Sequence, residues 1–430
     1  MPDTATAPRA AGAAPARAGV APRLRPDPGR VGPFRLQQLV LLQLAAAALL
    51  VAWVTQPLLL VPAAVPALAL VLLALVRRRR RSLPEWIGGA LALRARRRRA
   101  ASFVLPEGTE PGLAPLVEAD PALRTTAFAG RGRRPVGLVG DGTFLTAVVR
   151  VDSEATALRP ERTERPLPLS AVRDVLEVDG IRLESAQVVQ HTRPAPAPHL
   201  SARSTATLNY APLQARTGTP AVRLTWIALK LDPELCPDAV AARGGGLLGA
   251  QRCVVRAADQ LASRLTGAGF RAAVLTEQEL AGALATSSCA DPSAAAGAAG
   301  AGRAGRPAGS GRRTEETLRT WRCDDSRHTT YWLARWPRLG GSGAALPQFV
   351  ALLTSLPSLA TNFSLTMAPA GRQGVTLTGH VRVTARSDEE LTAARRELER
   401  TARGVRAGLV RLDREQVPGL LASLPLGGAR

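Results

Sequence analysis

Lysine is almost missing from this chain: Lys230 is the only one among 56 basic residues. Ala, Arg, Gly and Pro are inflated together, as a GC-rich genome would produce. The formal net charge of +22 is therefore no argument for a nucleic-acid partner. Cysteine is scarce too. Cys236, Cys253, Cys289 and Cys323 form no CxxC pair, and there are only four histidines. Isolated, reduced thiols fit this pattern better than a metal site or a disulfide framework. The chain also lacks GxxxxGK[ST], HExxH and a serine nucleophile elbow. "GGGLLG" at 244–249 and "GRGRRPVG" at 130–137 miss the strand–GxGxxG–helix context of a dinucleotide site. No cofactor is expected.

Charge is concentrated. Residues 1–99 hold 16 Arg against Asp3, Asp27 and Glu85, a net of +13, whereas the remaining residues net +9. Much of the excess flanks one apolar region, Leu36 to Val76. As one helix this region would run about 60 Å, twice a bilayer's hydrocarbon core. Two spans, about 36–54 and 58–76, are expected instead, with Gln56 and Pro57 in the turn between them. Pro62 and Pro66 remain within the second span. A cleavable signal peptide would be shorter and would not end in an arginine block. Arg77, Arg78, Arg79, Arg80 and Arg81, then Arg94, Arg96, Arg97, Arg98 and Arg99, follow the second span. The positive-inside rule makes them topology and anchoring residues, with both chain ends cytoplasmic and anionic lipids as contacts. The expectation is a multi-pass cell-membrane protein.

The domain layout follows. Residues 1–30 read as a disordered tail, 31–80 as a transmembrane hairpin, 81–100 as a basic juxtamembrane segment and 101–424 as a cytoplasmic region. A low-complexity loop occupies 291–313. "PVGLVGDGTFLTAVVRV" at 135–151 predicts a hairpin turning at Asp141-Gly142. Strands are predicted at 182–190 and from Ala221, followed by a helix from Leu247 to Gly267. After the loop, two strands flank "CDDSRH". A helix near 346–356, strands at 361–368 and 374–385 and a charged helix at 388–403 complete an α/β or α+β pattern. "ELAGALAT" at 279–286 echoes "QVPGLLAS" at 416–423, which either duplication or shared Ala/Leu bias would explain.

"CDDSRH" is the most chemical constellation present. Cys323, Asp324, Asp325 and His328 have metal-ligating side chains, yet they coincide with a predicted turn, where polar residues are common without chemistry. Turn and surface roles are expected, with no catalytic residue.

"GRVGPFRLQQLVLLQLAAAALLVAWVTQP" at 29–57, the run ending in Arg77–Arg81 and "LPEWIGGALALRARRR" resemble EccE, a core membrane component of actinobacterial type VII (ESX) secretion systems, in its streptomycete form; the arrangement of the C-terminal α/β region, including "VRLTWIALKL" and the unit at 246–286, fits as well. The resemblance implies a non-enzymatic structural subunit supporting assembly of the export channel. It also implies EccB, EccC and EccD as partners, EccC being the ATPase, with the mycosin protease as an associate. The alternative is a membrane-tethered, glycosyltransferase-like enzyme.

Overall fold

In the computed structural model, Leu36–Thr55 (α1) and Leu60–Leu75 (α2) pack against one another and are followed by Leu83–Ala101 (α3). The structure describes residues 30–428, except 32–33, 57–59, 76, 79–80, 107, 131–133, 154–165, 195–203, 207, 211, 213–219, 221, 291–311, 340–344 and 372–373. The expected tail, residue Pro57 and nearly all of the low-complexity loop thus lie outside the described residues.

The expected transmembrane hairpin is overturned. Among the described residues, no helix is long and apolar enough to cross a membrane. α2 has 16 residues, about 24 Å at ~1.5 Å per residue, against a hydrocarbon core of about 30 Å. In α1, Gln37, Gln38 and Gln43 interrupt the apolar run, leaving Leu44–Val54 as its continuous stretch. The multi-pass topology expected from the flanking arginines falls with the hairpin. Both helices nevertheless expose large apolar side chains, including Leu50, Trp53, Val54, Val65 and Leu68.

The rest of the chain is a mixed α/β fold around one twelve-stranded sheet. After a short helix at Ala114–Ala119 (α4) come Arg124–Phe128 (β1), Val136–Gly140 (β2) and Leu145–Ser153 (β3). The turn between β2 and β3 is built by Asp141. Its Oδ1 accepts from the Thr143 amide and hydroxyl at 2.8 and 2.5 Å, while Gly142 takes a φ of 92°. Next are Leu169–Asp174 (α5), Ser185–Arg193 (β4), Val222–Leu231 (β5), Pro237–Ala242 (α6) and Gly246–Gly267 (α7). Phe270–Val274 (β6) and Glu277–Ser288 (α8) close the first half. Thr276 and Glu279 form a reciprocal capping box that starts α8.

The second half repeats the plan. Thr314–Glu316 (β7), Trp321–Cys323 (β8), Ser326–Arg335 (β9) and Leu346–Thr354 (α9) lead to Ala360–Ala370 (β10) and Gly374–Ala385 (β11). Asp388–Gly404 (α10), Gly408–Arg411 (β12) and Gln416–Ser423 (α11) complete it. The sheet order is β7-β8-β9-β11-β10-β4-β5-β3-β2-β1, with β6 beside β3 and β12 beside β9. Read from either end, each strand of one half occupies the place of its counterpart six strands later in the other. The join is the antiparallel β4–β10 ladder, Ala186↔Met367 to Thr192↔Thr361. The echo at 279–286 and 416–423 falls on α8 and α11, which hold equivalent positions. The two matched glycines differ, however. A Cβ at Gly419 would lie 2.6 Å from Leu412 and 2.9 Å from Thr330, while Gly282 has open space.

Strand alternation distributes side chains to two faces. Leu138, Val149, Ile227, Val381 and Val383 join α5, α6, α7, α9 and α10 in one core. Val139, Val148, Trp226 and Ala228 meet α4, α8 and α11 in the other. The halves also exchange contacts through their helix ends. Asn362 of β10 donates to the Ser287 carbonyl ending α8, at 3.0 Å. Gln187 of β4 donates to the Ala422 carbonyl near the end of α11, at 2.7 Å.

If the halves interlock in this way, two pieces divided between residues 290 and 312 and produced together should co-purify as one folded complex. Pull-down through a tag on one piece tests this. Two pieces that fold separately and do not associate would contradict the interlock.

Candidate functional site

Polar and ionisable side chains gather in two places: the sheet's β7 end and a buried seam beneath α8 and α11. At the β7 end, Glu316 is a joint between three elements. Arg96 of α3 donates to its two carboxylate oxygens at 2.8 and 2.9 Å, and also to the Arg414 carbonyl at 2.5 Å. The Val417 amide in the first turn of α11 donates to the same carboxylate at 3.0 Å, and Arg97 donates to the Glu316 carbonyl at 2.9 Å. The Arg96 and Glu316 side chains are only 14% and 6% exposed, so this fork is a buried bidentate pair rather than a surface contact. Beside it, Glu118 of α4 accepts from the Thr314 amide and hydroxyl at 2.9 and 2.6 Å and from the Arg313 amide at 3.1 Å. A cavity of about 390 Å³ lies among these groups, with Arg99 and Arg312 also on its wall.

The expected anchoring residues therefore divide. Arg96 and Arg97 are engaged with the sheet; Arg94, Arg98 and Arg99 are exposed on α3. Arg77 and Arg78 pair with Ser82 and Arg81 in a two-residue ladder, Arg79 and Arg80 lie outside the described residues, and Gln56 is exposed after α1. Glu316, Glu118 and Arg313 were invisible as a unit in the sequence, because their partners lie up to 220 residues away.

The fold takes "CDDSRH" apart. Asp324 sits at φ 50° in the β8–β9 turn and accepts from Arg313 at 2.7 and 2.8 Å. With side chains 11% and 7% exposed, this pair is structural, and it raises the Arg313 pKa. Asp325 alone is the exposed turn residue expected of both aspartates. The Cys323 thiol is buried and its pKa pushed up by desolvation, then by Asp324. His328 points into the seam, where its ring packs 4.8 Å from that of Trp321. Among the described residues, no group of three or more His, Cys, Asp or Glu could hold a metal ion.

The seam is unusual for its uncompensated cation. Arg382 of β11 is fully buried and donates to Ser423 Oγ at 2.8 Å, to His328 Nδ1 at 3.1 Å and to the Ser287 carbonyl. No carboxylate is among these partners; the negative end of the α8 dipole stands in for one. Desolvation lowers its pKa to about 10, so it stays charged at neutral pH. His191 pairs with Asn362 at 2.7 Å. Burial depresses its pKa to about 3, with Arg193 adding to the effect, and burial alone takes His380 to about 4. His328 is also pushed down by burial, then by Arg382. Such groups are neutral, enclosed and poorly suited to proton transfer near neutrality.

"GGGLLG" serves packing: a Cβ on Gly249 would meet the Val240 carbonyl at 2.2 Å, so the glycine permits α6 to touch α7.

Residues 219–333 match the EccE family, described as a putative type VII ESX secretion system translocon. The match runs from the start of β5 into β9 and so crosses the junction between the halves. It covers a little over a quarter of the chain: it takes in "VRLTWIALKL" and the unit at 246–286 but none of the amino-terminal segments on which the resemblance chiefly rested. Identification as a streptomycete-like membrane core component is corrected accordingly to a partial, distant similarity. No curated protein matches the chain.

Two outcomes follow from this geometry. Asp324→Asn tolerates the positive φ but leaves Arg313 buried without its counter-charge, and should cost about 2–4 kcal/mol. Asp325→Asn should stay within about 0.5 kcal/mol. Urea denaturation of both variants checks this, and equal stabilities would remove the structural role of the ion pair.

Acid sensitivity is the second. The unfolded chain takes up protons on its histidines as pH falls through about 6.5, whereas the folded His191 and His380 resist until about 3 and 4. Stability should thus be unaffected by these groups above pH 7 and decline as pH falls from about 6.5 towards 4. Each histidine kept neutral at pH 5 costs about 2 kcal/mol. His380→Phe should flatten the stability profile between pH 7 and pH 5; an unchanged slope would rule out this origin.

Proposed function

We propose that the chain is a non-catalytic component of a type VII (ESX) secretion apparatus and supports assembly of its export channel. The observation carrying this reading is the family match across residues 219–333. That stretch contains Cys323, Asp324 and His328, whose side chains the fold commits to burial, an ion pair and a packed seam. EccB-, EccC- and EccD-type components are the partners this reading implies, with a mycosin protease as an associate. An ATPase partner of the EccC type would supply the energy, leaving this chain to position other subunits.

The joint at Glu316 supports a scaffolding role. It links α3, the β7 edge and α11 through directional, charge-assisted bonds, so displacement of the amino-terminal helices strains both the sheet edge and the last helix.

Affinity purification of the tagged, full-length protein from its native host should recover EccB-, EccC- and EccD-type components. Deleting the chain should reduce export of an ESX substrate, and Asp325→Asn should restore export as fully as the unaltered chain does. Failure to recover any secretion component would sink the assignment; normal assembly with lost export in Asp325→Asn would instead point to chemistry at the β8–β9 turn.

A further inference from the structure

Among the described residues, β6 is hydrogen-bonded on one side only, to β3 through Phe270↔Ser153 to Val274↔Val149. Its other edge opens into a groove of about 570 Å³, within the range of clefts that bind ligands. α7 supplies one wall through Val255 and Arg256, and the end of the β1–β2 hairpin supplies the other through Phe128 and Arg134. The edge itself is low, because Ala272 and Ala273 present only methyl groups.

Sheet edges are ordinarily covered or blunted, since their unpaired amides and carbonyls invite another strand. The β7 edge illustrates the covered case: the Thr314 amide is taken by Glu118 and the Glu316 carbonyl by Arg97. At β6 the corresponding space is walled but open. Walls on both sides favour a single extended chain over the broad edge of a second sheet.

Charge selects the occupant. The ionisable side chains lining the groove are Arg134, Arg252 and Arg256 against Asp259. Arg134 is oriented by Glu279 and Arg256 by Asp179, each at 2.8 Å, and Arg252 donates to the Arg243 carbonyl at 2.8 Å. These contacts occupy only part of each five-donor guanidinium. Arg134 and Arg256 also remain 61% and 53% exposed. Carboxylates entering the groove would find three guanidinium groups along its lining.

We propose that the outer edge of β6 is a docking groove for an extended, acidic segment of a partner protein. The segment adds as a strand beside Phe270–Val274 and places carboxylates on Arg134, Arg252 and Arg256. β6 is five residues long, about 17 Å, which sets the length of the paired segment. Main-chain pairing provides affinity and the arginines provide selectivity.

The test titrates the full-length protein with a labelled peptide alternating valine and glutamate, about eight residues long, followed by fluorescence anisotropy. A peptide alternating valine and lysine should bind about tenfold more weakly or worse. Methylating alternate backbone nitrogens, in the two possible sets, should abolish binding in one set, because one edge of an added strand faces β6. Arg252→Glu with Arg256→Glu, both on the exposed face of α7, should reverse the charge preference; the urea midpoint should fall only slightly, through loss of the exposed Arg256–Asp179 pair and the Arg252–Arg243 bond. The proposal is overturned if no peptide binds, if both charge patterns bind alike, if both methylated sets bind like the parent, or if the double variant keeps the original preference.

Discussion

The carbonyl ends of two short helices organise the centre of this molecule. α8 and α11 each finish over the middle of the sheet, where their last carbonyls have no partner within the helix. Water would satisfy them at a surface. Here the face is covered, and strands of the opposite half do so instead: Asn362 and Arg382 at Ser287, and Gln187 at Ala422, where Ser364 of the same half as α11 donates as well. Each bond between the halves is both a cap and a crosslink, since losing it leaves a buried acceptor short of a partner. The two halves are thus held together at their polar groups as well as by their apolar cores.

That constraint explains where ionisable side chains have been placed. A full positive charge at Arg382 is tolerated because helix carbonyls and hydroxyls surround it, and the same enclosure keeps His191, His328 and His380 neutral. At the sheet's end the balance is different. Glu316 and Asp324 meet arginines directly, in forks that close the β7 edge and fasten α3 to it. Buried pairs of this kind are costly to break rather than generous to make, so they act as geometric locks. Charges committed to locks and caps hold the elements of this chain itself in register.

The secondary structure was readable where pattern and turn chemistry agreed. The Asp141-Gly142 hairpin, the β5 strand from "AVRLTWIALKL" and the amphipathic α7 and α10 all lie where periodicity predicts them. The single echo between α8 and α11 pointed towards the repeated plan, although only the strand order makes that plan evident. The two segments expected at about 36–54 and 58–76 are helical, but α2 is short and glutamines interrupt the apolar run of α1, so neither has the length and hydropathy of a membrane span. Strand alternation by itself marks only one of two buried faces. In "HVRVTA" at 380–385, Val381 and Val383 mark one face as core, which leaves His380, Arg382 and Thr384 looking solvent-facing. They are buried, because α8 and α11 cover that face.

What the sequence determined by itself was local: which segments are helix or strand, where chains turn, and that familiar nucleotide and zinc-peptidase motifs are missing. These depend on residues within a few positions of one another. Tertiary structure alone decided the palindromic order of the sheet, the partnership of Arg96 with Glu316, the separation of Cys323, Asp324 and His328 and the open edge of β6. Each of these joins groups far apart in the chain, and whether a polar side chain meets water, a carboxylate or a helix end is settled only when distant elements close over it.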